Sequence, residues 1–427
     1  MPVAKVVSQF FDVDNIQDLD VFEKQGGYEA ARKSLTEMDP SSITAVVKDS
    51  NLRGRGGAYF ATGVKWGLMA KGSPLPNYLI CNSDESEPCT FSDRWKMKSC
   101  PHQLIEGMII TAFAIQAHKS YIYMRGEFRD CQRIVDRAIA QAYEKGYLGK
   151  GIFGTDFDLD MQTHMGAGAY ICGEESALIE SLEGKRGFPR IKPPYFPPAK
   201  GLYMAPTTVN NCETLMNIPP IITKGADWFK TMGTEKAPGT RCFGISGHVN
   251  RPGPIELEMG TTLREIIEEH AGGVRGGKAL KAVMPGGLSS GVLSAQELDT
   301  PMDPESLGKL GTMLGTGAVT VMDETTCIVR VVLRCAQFAR EESCGQCTPC
   351  RDGTDWLERL MQRMESGEGQ LNDIPLLMDV CHNITDGFRF RTICGMGVTD
   401  AFPVTTGLKY FKDEFEAHIA QRGCPFN

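Results

Sequence analysis

The chain has 427 residues, enough for about three domains, and its apolar fraction of 41% with 8% aromatic residues is ordinary for a globular protein. The formal net charge of −8 argues against nucleic acid or an anionic membrane surface as the main partner, because either would favour clustered lysine and arginine. Most of the 15 cysteines stand singly among apolar neighbours, and no apolar stretch at the N-terminus is long enough for a signal peptide. We therefore expect a reducing cytoplasm and no disulfide scaffold.

The first half of the chain alternates apolar runs with amphipathic stretches. Residues 78–81 and 120–124 have the pattern of strands, and residues 104–117 and 131–143 have the pattern of helices. This alternation predicts a mostly parallel sheet covered by helices, with ligand-binding loops at the carboxyl ends of its strands. The most hydrophobic stretch, residues 107–117, is shorter than the roughly 20 residues of a membrane helix, so we expect a buried helix there.

Two changes of pattern follow along the chain. From about residue 239, short strand-like pieces separated by turns predict a small mixed domain, with the β-grasp type as one fold that fits. Beyond about residue 327 the apolar residues fall at helical spacing, which predicts a helical bundle. Two predicted apolar helix faces are formed by Leu357, Leu360, Met361 and Met364 and by Leu408, Phe411, Phe415 and Ile419. The predicted domains are therefore residues 1–238, 239–326 and 327–427.

The strongest chemical signal is the run ESCGQCTPCR, which contains Cys344, Cys347 and Cys350. Three cysteines at this spacing with a remote fourth are typical of an iron–sulfur cube, whereas structural zinc sites, the alternative, usually pair two CxxC knuckles. Cys394 is the favoured fourth ligand because the glycines beside it let backbone amides approach cluster sulfur. Cys381 is the competitor, but its surroundings have a helical pattern that indicates core packing.

A glycine-rich run, RGRGGAYFATG, occupies residues 53–63. Its glycines permit the backbone to approach a phosphate or a flat ring, and its arginines and Lys65 supply positive charge. The run is not a complete dinucleotide fingerprint, because Tyr59 stands where the third glycine would be. On its own, the run is equally compatible with a plain turn.

Three polar segments could hold a ligand. Residues 82–87 (NSDESE) follow a predicted strand, where carboxylates can bind ribose hydroxyls or flavin edges and would repel the extra phosphate of NADPH. Residues 166–175 end in paired glutamates, and residues 207–214 contain paired asparagines, whose donors and acceptors suit an isoalloxazine ring. Each segment alone could be an exposed turn or a helix cap. Together with the cysteines they indicate a redox site.

In this order, the blocks RGRGGAxFxTGxKW, CNSDESEP, GAGAYICGEESALIESLEGKRGxPR, PTTVNNxET and ESCGQCTPCR resemble the NADH-oxidising flavoprotein subunit of respiratory complex I. The resemblance covers nearly the whole chain. It implies an α/β fold with a Rossmann-like FMN/NADH domain, a β-grasp domain of the soluble-ligand-binding type and a helical bundle with one [4Fe–4S] cluster. It also implies hydride transfer from C4 of NADH to N5 of FMN, followed by one-electron steps into the cluster.

The resemblance further implies which residues form the sites. The residues implied to hold FMN are Gly54, Arg55, Gly56, Gly57, Lys65, Asn82, Asp84, Glu85, Gly173, Glu174, Asn210, Asn211 and Thr214. The residues implied to contact NADH are Phe60, Lys65, Glu87, Tyr170, Glu175 and Tyr195, with Phe196 as the alternative to Tyr195. The residues implied to bind the cluster are Cys344, Cys347, Cys350 and Cys394.

The chain departs from the usual family pattern at several positions. Tyr59 and Cys89 stand where the family usually has glycine, and Leu68 stands where an aromatic residue commonly stacks on adenine. The sequence ICGMGV around Cys394 differs from the more frequent ICPLGD or ICALGD. Most of these departures concern the nucleotide rather than FMN.

A flavoprotein with one cluster needs an electron acceptor. The resemblance implies a small [2Fe–2S] thioredoxin-like subunit and a large multi-cluster iron–sulfur subunit that lead to quinone, with membrane contact only through the complex at the inner face of the cell membrane. One alternative is the diaphorase subunit of a soluble NAD-linked hydrogenase or formate dehydrogenase, and another is a zinc-stabilised, non-enzymatic interaction module. We expect the complex I form, because the chain has neither the N-terminal thioredoxin-like nor the C-terminal ferredoxin-like extension common in the other enzymes.

Overall fold

A computed structural model of the chain describes residues 4–386 and 389–426. The chain divides into two compact units. The first unit comprises Met1–Ser86, Phe91–Cys242 and Pro254–Gly260, and the second comprises Glu87–Thr90, Phe243–Gly253 and Thr261–Asn427. Because the second unit contains both a sheet and the C-terminal helices, the three predicted domain boundaries stay a prediction.

The first unit is an α/β structure. Its helices are α1 (Leu19–Lys24), α2 (Glu29–Glu37), α3 (Pro40–Asp49), α4 (Thr62–Gly67), α5 (Ser92–Ser99), α6 (Pro101–Ala114), α7 (Arg129–Glu144), α8 (Glu175–Leu182), α9 (Pro197–Lys200), α10 (Cys212–Met216), α11 (Ile218–Lys224) and α12 (Ala226–Lys230). Its strands are β1 (Asn77–Ser83), β2 (Ala117–Met124), β3 (Asp160–Met165) and β4 (Thr207–Asn211). The predicted strands and helices of this half are confirmed, except that the helix predicted over residues 104–117 ends at Ala114 and Ala117 begins β2. Strands β3 and β4 were not predicted.

The four strands of the first unit form one parallel sheet in the order β3-β2-β1-β4. The chain proceeds from β1 to β2 and β3 in one direction and then returns to place β4 on the other side of β1. This reversal creates a topological switch point between β1 and β4, where the loops that follow the two strands diverge. In sheets of this kind, ligands bind outside the carboxyl ends of the strands at the switch point.

Helix α6 is the predicted buried helix, and its residues 101–112 are all buried. Its two titratable side chains are satisfied, because Glu106 accepts a hydrogen bond from the backbone N–H of Ala31 (3.1 Å) and His102 lies 2.8 Å from the hydroxyl of Tyr28. A Cβ atom on Gly107 would lie 2.0 Å from the carbonyl oxygen of Leu215 in α10. Only glycine therefore allows α6 and α10 to approach this closely.

The second unit contains a mixed sheet and a group of C-terminal helices. Its elements are β5 (Thr240–Gly247) and β6 (Gly253–Glu258), which are shared with the first unit, β7 (Leu280–Met284), β8 (Leu293–Ser294), β9 (Ala318–Asp323), β10 (Thr385–Asp386), β11 (Arg389–Phe390), α13 (Leu263–Glu265), α14 (Pro304–Lys309), α15 (Ile328–Glu342), α16 (Thr348–Glu365), α17 (Asp373–Ile384) and α18 (Met396–Gln421). Strand β9 pairs in parallel with β5 and antiparallel with β7, and β8 pairs with β7.

Helices α15 to α18 share one apolar core. The predicted buried face of α16 is confirmed, since Leu357, Leu360, Met361 and Met364 are all buried. On α18 the predicted face is only partly buried. Leu408 and Phe415 are buried, whereas Ile419 and Phe411, where the backbone leaves helical geometry, are half-buried. No helix in the described part of the chain is long and apolar enough to cross a membrane.

Replacing Gly107 with alanine is expected to destabilise the first unit by about 3 kcal/mol, because the new methyl group would overlap a backbone carbonyl. The matched control is Gly67→Ala at the end of α4, where a Cβ atom would meet no heavy atom within 4 Å. Thermal unfolding followed by circular dichroism measures both variants. Equal midpoints for the two variants would contradict the proposed close approach.

Candidate redox site

The predicted polar segments meet at the switch point of the first sheet. Asn82 at the end of β1 is the register partner of Asn211 at the end of β4. The side-chain amide of Asn82 donates to the carbonyl of Gly173 (2.8 Å), and that of Asn211 donates to the carboxylate of Asp93 (2.7 Å). Three loops from separate parts of the sequence are therefore held at the same end of two adjacent strands.

The glycine-rich run forms a closed loop next to these asparagines. The N–H of Gly54 donates to the carbonyl of Phe60 (2.8 Å), which ties the two ends of the loop together. Gly57 has a φ of 115°, a conformation that L side chains rarely adopt. A Cβ atom on Gly56 would come within 3.1 Å of Asn211 Cβ, and the N–H of Arg55 donates to Thr214 Oγ1 (2.8 Å). The loop therefore places backbone without side chains next to the amide group of Asn211.

The side chain of Arg55 does not offer a free charge to a phosphate. It is buried, and its guanidinium donates to the carbonyls of Thr240 (3.1 Å), Pro238 (2.8 Å) and Arg53 (3.2 Å). Burial lowers the pKa of Arg55 to about 10. The expectation that this arginine supplies charge to the ligand is therefore not supported by its contacts, which indicate that it fixes the shape of the loop.

Two of the carboxylates predicted to bind FMN act as helix caps. The carboxylate of Glu85 accepts the backbone N–H groups of Asp93 (2.7 Å) and Arg94 (3.0 Å) at the start of α5. Burial, and then the negative charge of Asp93, raises the pKa of Glu85 to about 7. Glu174 caps α8 in the same way, by accepting the N–H groups of Ser176 and Ala177 at 2.9 Å each. Both glutamates therefore hold helix starts near the switch point.

A chain of ion pairs lies beside these loops. Lys65 Nζ lies 2.7 Å from Glu175 Oε2, and Lys192 Nζ lies 2.9 Å from Glu175 Oε1 and 2.6 Å from Glu174 Oε1. Burial alone would raise the pKa of Glu175, but the charges of Lys65 and Lys192 outweigh it and lower the pKa to about 2. Lys192 was not predicted as a site residue, although it closely follows the KRGFPR segment that carries part of the family resemblance.

The remaining predicted residues of the first unit differ in exposure. Phe60 and Tyr195 are 49% and 38% exposed, as aromatic rings that stack on a ligand need to be, and Tyr170 is half-buried in a short 3₁₀ turn. Asn210 is buried and accepts the indole N–H of Trp66 (3.0 Å). Two predicted nucleotide-binding rings are therefore available at the surface, whereas Asn210 is held inside.

Glu87 is buried in the second unit, where its carboxylate accepts the backbone N–H of Ser289 (2.8 Å). Burial raises the pKa of Glu87 to about 7. Within its own unit, this glutamate therefore orders the loop after β7, and its predicted contact with NADH stays a prediction.

Two departures from the family pattern coincide with left-handed backbone. Tyr59 has a φ of 54° and Cys89 has a φ of 69°, and glycine is the usual family residue at both positions. A non-glycine residue in this region costs about 1–2 kcal/mol. At Tyr59 the ring is buried and lies 5.6 Å from the Arg241 guanidinium, which offsets part of that cost, whereas Cys89 is exposed.

The predicted cluster ligands lie in the second unit: Cys344 is in the loop between α15 and α16, and the other three are near the starts of two helices. Cys347 is the N-cap of α16 and Cys350 lies in its first turn, whereas Cys394 comes two residues before α18. Burial raises the pKa of Cys350, and the nearby charges of Asp400, Cys347 and Cys394 raise it further. The partial positive charge of a helix N-terminus acts in the opposite direction and favours the thiolate, which is the form that binds iron. An all-thiolate donor set at two helix starts fits an iron–sulfur cluster.

Cys381 has a different environment from these cysteines. It is fully buried in α17 within the apolar core, and its thiol donates a weak hydrogen bond to the carbonyl of Ala401 (3.9 Å). Burial raises the pKa of Cys381 to about 12. These contacts indicate that Cys381 packs in the core, and the assignment of Cys394 as the fourth ligand stays a prediction.

Replacing Cys89 with glycine is expected to stabilise the chain by about 0.5–1 kcal/mol, because glycine accepts the positive φ without a steric cost. Cys89→Ala is the control, since it also removes the thiol but keeps a Cβ atom. Chemical denaturation of both variants measures the difference. Equal stability of the alanine and glycine variants would contradict backbone strain at this position.

Comparison with known families agrees with this geometry. Residues 47–220 match the family model described as the Nuo51 FMN-binding domain, and residues 330–418 match the NADH-ubiquinone oxidoreductase-F iron-sulfur binding region. Residues 241–321 match the SLBB domain. The chain therefore carries an FMN-binding domain and a 4Fe-4S binding region, and thiolate and amide groups suited to both are present in the two units.

Individual relatives extend the similarity over the whole chain. The chain is 48% identical over 433 residues to the F subunit of NADH-quinone oxidoreductase in Mycobacterium bovis, covering 100% of this chain and 96% of that protein. It is 47% identical over 404 residues to the corresponding protein of Escherichia coli, covering 94% of this chain and 90% of that protein. A crystal structure of an NAD+-reducing [NiFe]-hydrogenase in the H2-reduced state matches with a TM-score of 0.84 and 33% identity, covering 98% of this chain and 67% of that chain. The chain belongs to the family of NADH-quinone oxidoreductase F subunits.

Proposed function

We propose that the chain oxidises NADH as the flavoprotein subunit of an NADH-quinone oxidoreductase and passes electrons singly to partner iron–sulfur subunits. The observation that carries this proposal is the pairing of Asn82 with Asn211 at the switch point, beside the glycine loop. Bound FMN supplies the chemistry of accepting a hydride and releasing its electrons one at a time, and a [4Fe–4S] cluster accepts single electrons.

The residues at the switch point fit a flat ring that carries alternating carbonyl and N–H groups. The two asparagines provide donors and acceptors, and the glycine loop lets the backbone approach without side chains. Asp84 belongs to the same turn, since its N–H donates to Asn82 Oδ1 (3.1 Å). Gly173 and Thr214 fix the neighbouring loops by accepting hydrogen bonds from Asn82 and from the N–H of Arg55. These residues would hold FMN.

Lys65 and Glu175 are proposed to orient NADH. Because its pKa is about 2, Glu175 remains ionised at neutral pH and cannot serve as a proton donor. Its role is to position the nucleotide, together with the charge of Lys65, and hydride transfer needs orientation rather than acid–base catalysis. The exposed rings of Phe60 and Tyr195 are proposed to stack on the nucleotide. A carboxylate at this site would also disfavour the extra phosphate of NADPH.

The partners are proposed to be a small [2Fe–2S] thioredoxin-like subunit and a large multi-cluster iron–sulfur subunit. Through them the chain would be attached to the inner face of the cell membrane, on the cytoplasmic side. The structural similarity to the NAD+-reducing hydrogenase supports a second candidate, a diaphorase subunit of such an enzyme. The quinone-linked function is preferred because identity to the F subunits is 47–48%, against 33% for the hydrogenase chain.

The direct test is to co-express the chain with its small partner, reconstitute it with FMN, iron and sulfide, and assay NADH:ferricyanide reductase activity. We expect one FMN per chain and activity with NADH that greatly exceeds activity with NADPH. Glu175→Gln should raise the KM for NADH about tenfold, which corresponds to about 1.4 kcal/mol of lost binding, with little change in kcat.

Glu144→Gln, at an exposed position at the end of α7, is the matched control and should leave both constants unchanged. Absence of bound flavin and of NADH oxidation after reconstitution would refute the proposed function.

The ligand assignment in the second unit has its own test. Cys394→Ala should abolish the EPR signal of the reduced cluster and leave FMN bound, whereas Cys381→Ala should keep both, because its thiol only packs in the core. EPR at low temperature together with flavin quantification measures the outcome. The opposite pattern would exchange the roles of the two cysteines.

A further inference from the structure

The second unit contains a cluster of metal-ligating side chains that the redox function does not use. The side-chain ligand atoms of Cys327, Glu365, His418 and Cys424 all lie within 4.8 Å of one another. We call this group the C-terminal ligand cluster. None of its members belongs to the ESCGQCTPCR run or is Cys394. Its ligands are therefore separate from those of the iron–sulfur cluster.

The cluster draws its ligands from several elements of the C-terminal helices. Cys327 is the N-cap of α15, Glu365 is the last residue of α16, His418 lies near the end of α18, and Cys424 lies in the segment after α18. Cys327 and His418 are buried, whereas Cys424 is half-buried. A metal ion bound by these residues would attach the segment after α18 to the start of α15 and the end of α16.

The separations between the ligand atoms suit a small tetrahedral ion. Cys327 Sγ lies 3.3 Å from His418 Nε2, which in turn lies 3.5 Å from Glu365 Oε2. Bonds of about 2.0–2.3 Å to zinc at tetrahedral angles place neighbouring ligand atoms about 3.4–3.8 Å apart. The observed separations differ little from these values, so small side-chain adjustments would complete the site.

The surrounding hydrogen bonds prepare the histidine and the glutamate as ligands. His418 Nδ1 lies 2.7 Å from the carbonyl oxygen of Glu414. Because a carbonyl oxygen can only accept a hydrogen bond, Nδ1 carries a proton. This bond leaves the Nε2 atom facing the cluster, an arrangement typical of metal-binding histidines. Arg330 binds Glu365 Oε1 through Nε (2.8 Å) and Nη2 (2.6 Å).

The other oxygen, Glu365 Oε2, is buried and accepts no hydrogen bond from any residue that the structure describes. When Nδ1 of neutral His418 carries the proton, Nε2 has a lone pair. This lone pair and those of Glu365 Oε2 therefore face the same space. A cation there would satisfy both groups, whereas an apolar contact would not.

We propose that Cys327, Glu365, His418 and Cys424 bind one Zn²⁺ ion as a closed structural site. The combination of thiolate, imidazole and carboxylate donors is one that zinc accepts, and four protein ligands leave no open position for substrate. The ion would hold the segment after α18 against the start of α15 and the end of α16. This proposal does not depend on the proposed redox function.

The test uses the full chain purified with its cofactors and without added zinc or chelator. Elemental analysis should find one zinc per chain in addition to the cluster iron. X-ray absorption at the zinc edge should show two sulfur neighbours at about 2.3 Å and two nitrogen or oxygen neighbours at about 2.0–2.2 Å. Zinc misplaced in the cysteines of the cluster site would instead show four sulfur neighbours, and that result would overturn the proposal.

Variants separate the two metal sites. Cys424→Ala should lower the zinc content at least fivefold and leave iron, FMN and the cluster EPR signal unchanged. Cys335→Ala, at a buried cysteine of α15 outside the C-terminal ligand cluster, is the matched control and should keep the zinc. A wild-type protein without zinc, or one with a disulfide between Cys327 and Cys424 in mass spectrometry, would refute the proposal even if a variant failed to fold.

Discussion

The parallel pairing of β1 with β4 is the constraint on which the first unit depends. Because β1 also pairs with β2, the strand order reverses at β1, and the loops after β1 and β4 open at the same edge of the sheet. Asn82 and Asn211 become neighbours only through this register. Without this register, the glycine loop and the acidic segments would not be brought to the same end of the sheet.

A buried ion-pair group supports the loops at the switch point. Lys96 in α5 is completely buried and contacts the carboxylates of Asp93 (2.8 Å) and Glu213 (2.5 Å). Although burial opposes the charge of Lys96, these two carboxylates hold its pKa well above the ordinary value. Glu213 also accepts the N–H of Cys242 (3.0 Å), so the group links α5, α10 and the start of β5. Losing Lys96 would leave the carboxylates of Asp93 and Glu213 without their shared cation in the interior.

Much of the first unit could be predicted from apolar periodicity, because β1, β2, α6 and α7 bury continuous or regularly spaced apolar residues. Strand β4 could not, since its sequence TTVNN is mostly polar and it is buried by its pairing with β1 and by the helices that pack on it. The motifs predicted which loops meet but not what each side chain does. Arg55 and Glu85 were expected at the ligand, yet their contacts are with backbone groups, which no sequence pattern distinguishes.

The C-terminal ligand cluster was even less predictable from the sequence. Its residues extend from Cys327 to Cys424 without the short spacing that marks the ESCGQCTPCR run, and they meet only through the packing of α15, α16 and α18. By contrast, the family pattern did indicate the backbone conformation at two positions. The family usually has glycine where this chain has Tyr59 and Cys89, and both residues have positive φ.

The most direct test of the central claim is the affinity of the purified chain for FMN, measured by quenching of flavin fluorescence. Asn82→Ala should weaken binding about tenfold or more, because the flavin would lose a hydrogen-bonding partner worth about 1.5 kcal/mol. Asn77→Ala, at the opposite end of the same strand, should bind FMN like the wild type. Equal affinity of both variants would contradict a flavin site at the β1–β4 switch point.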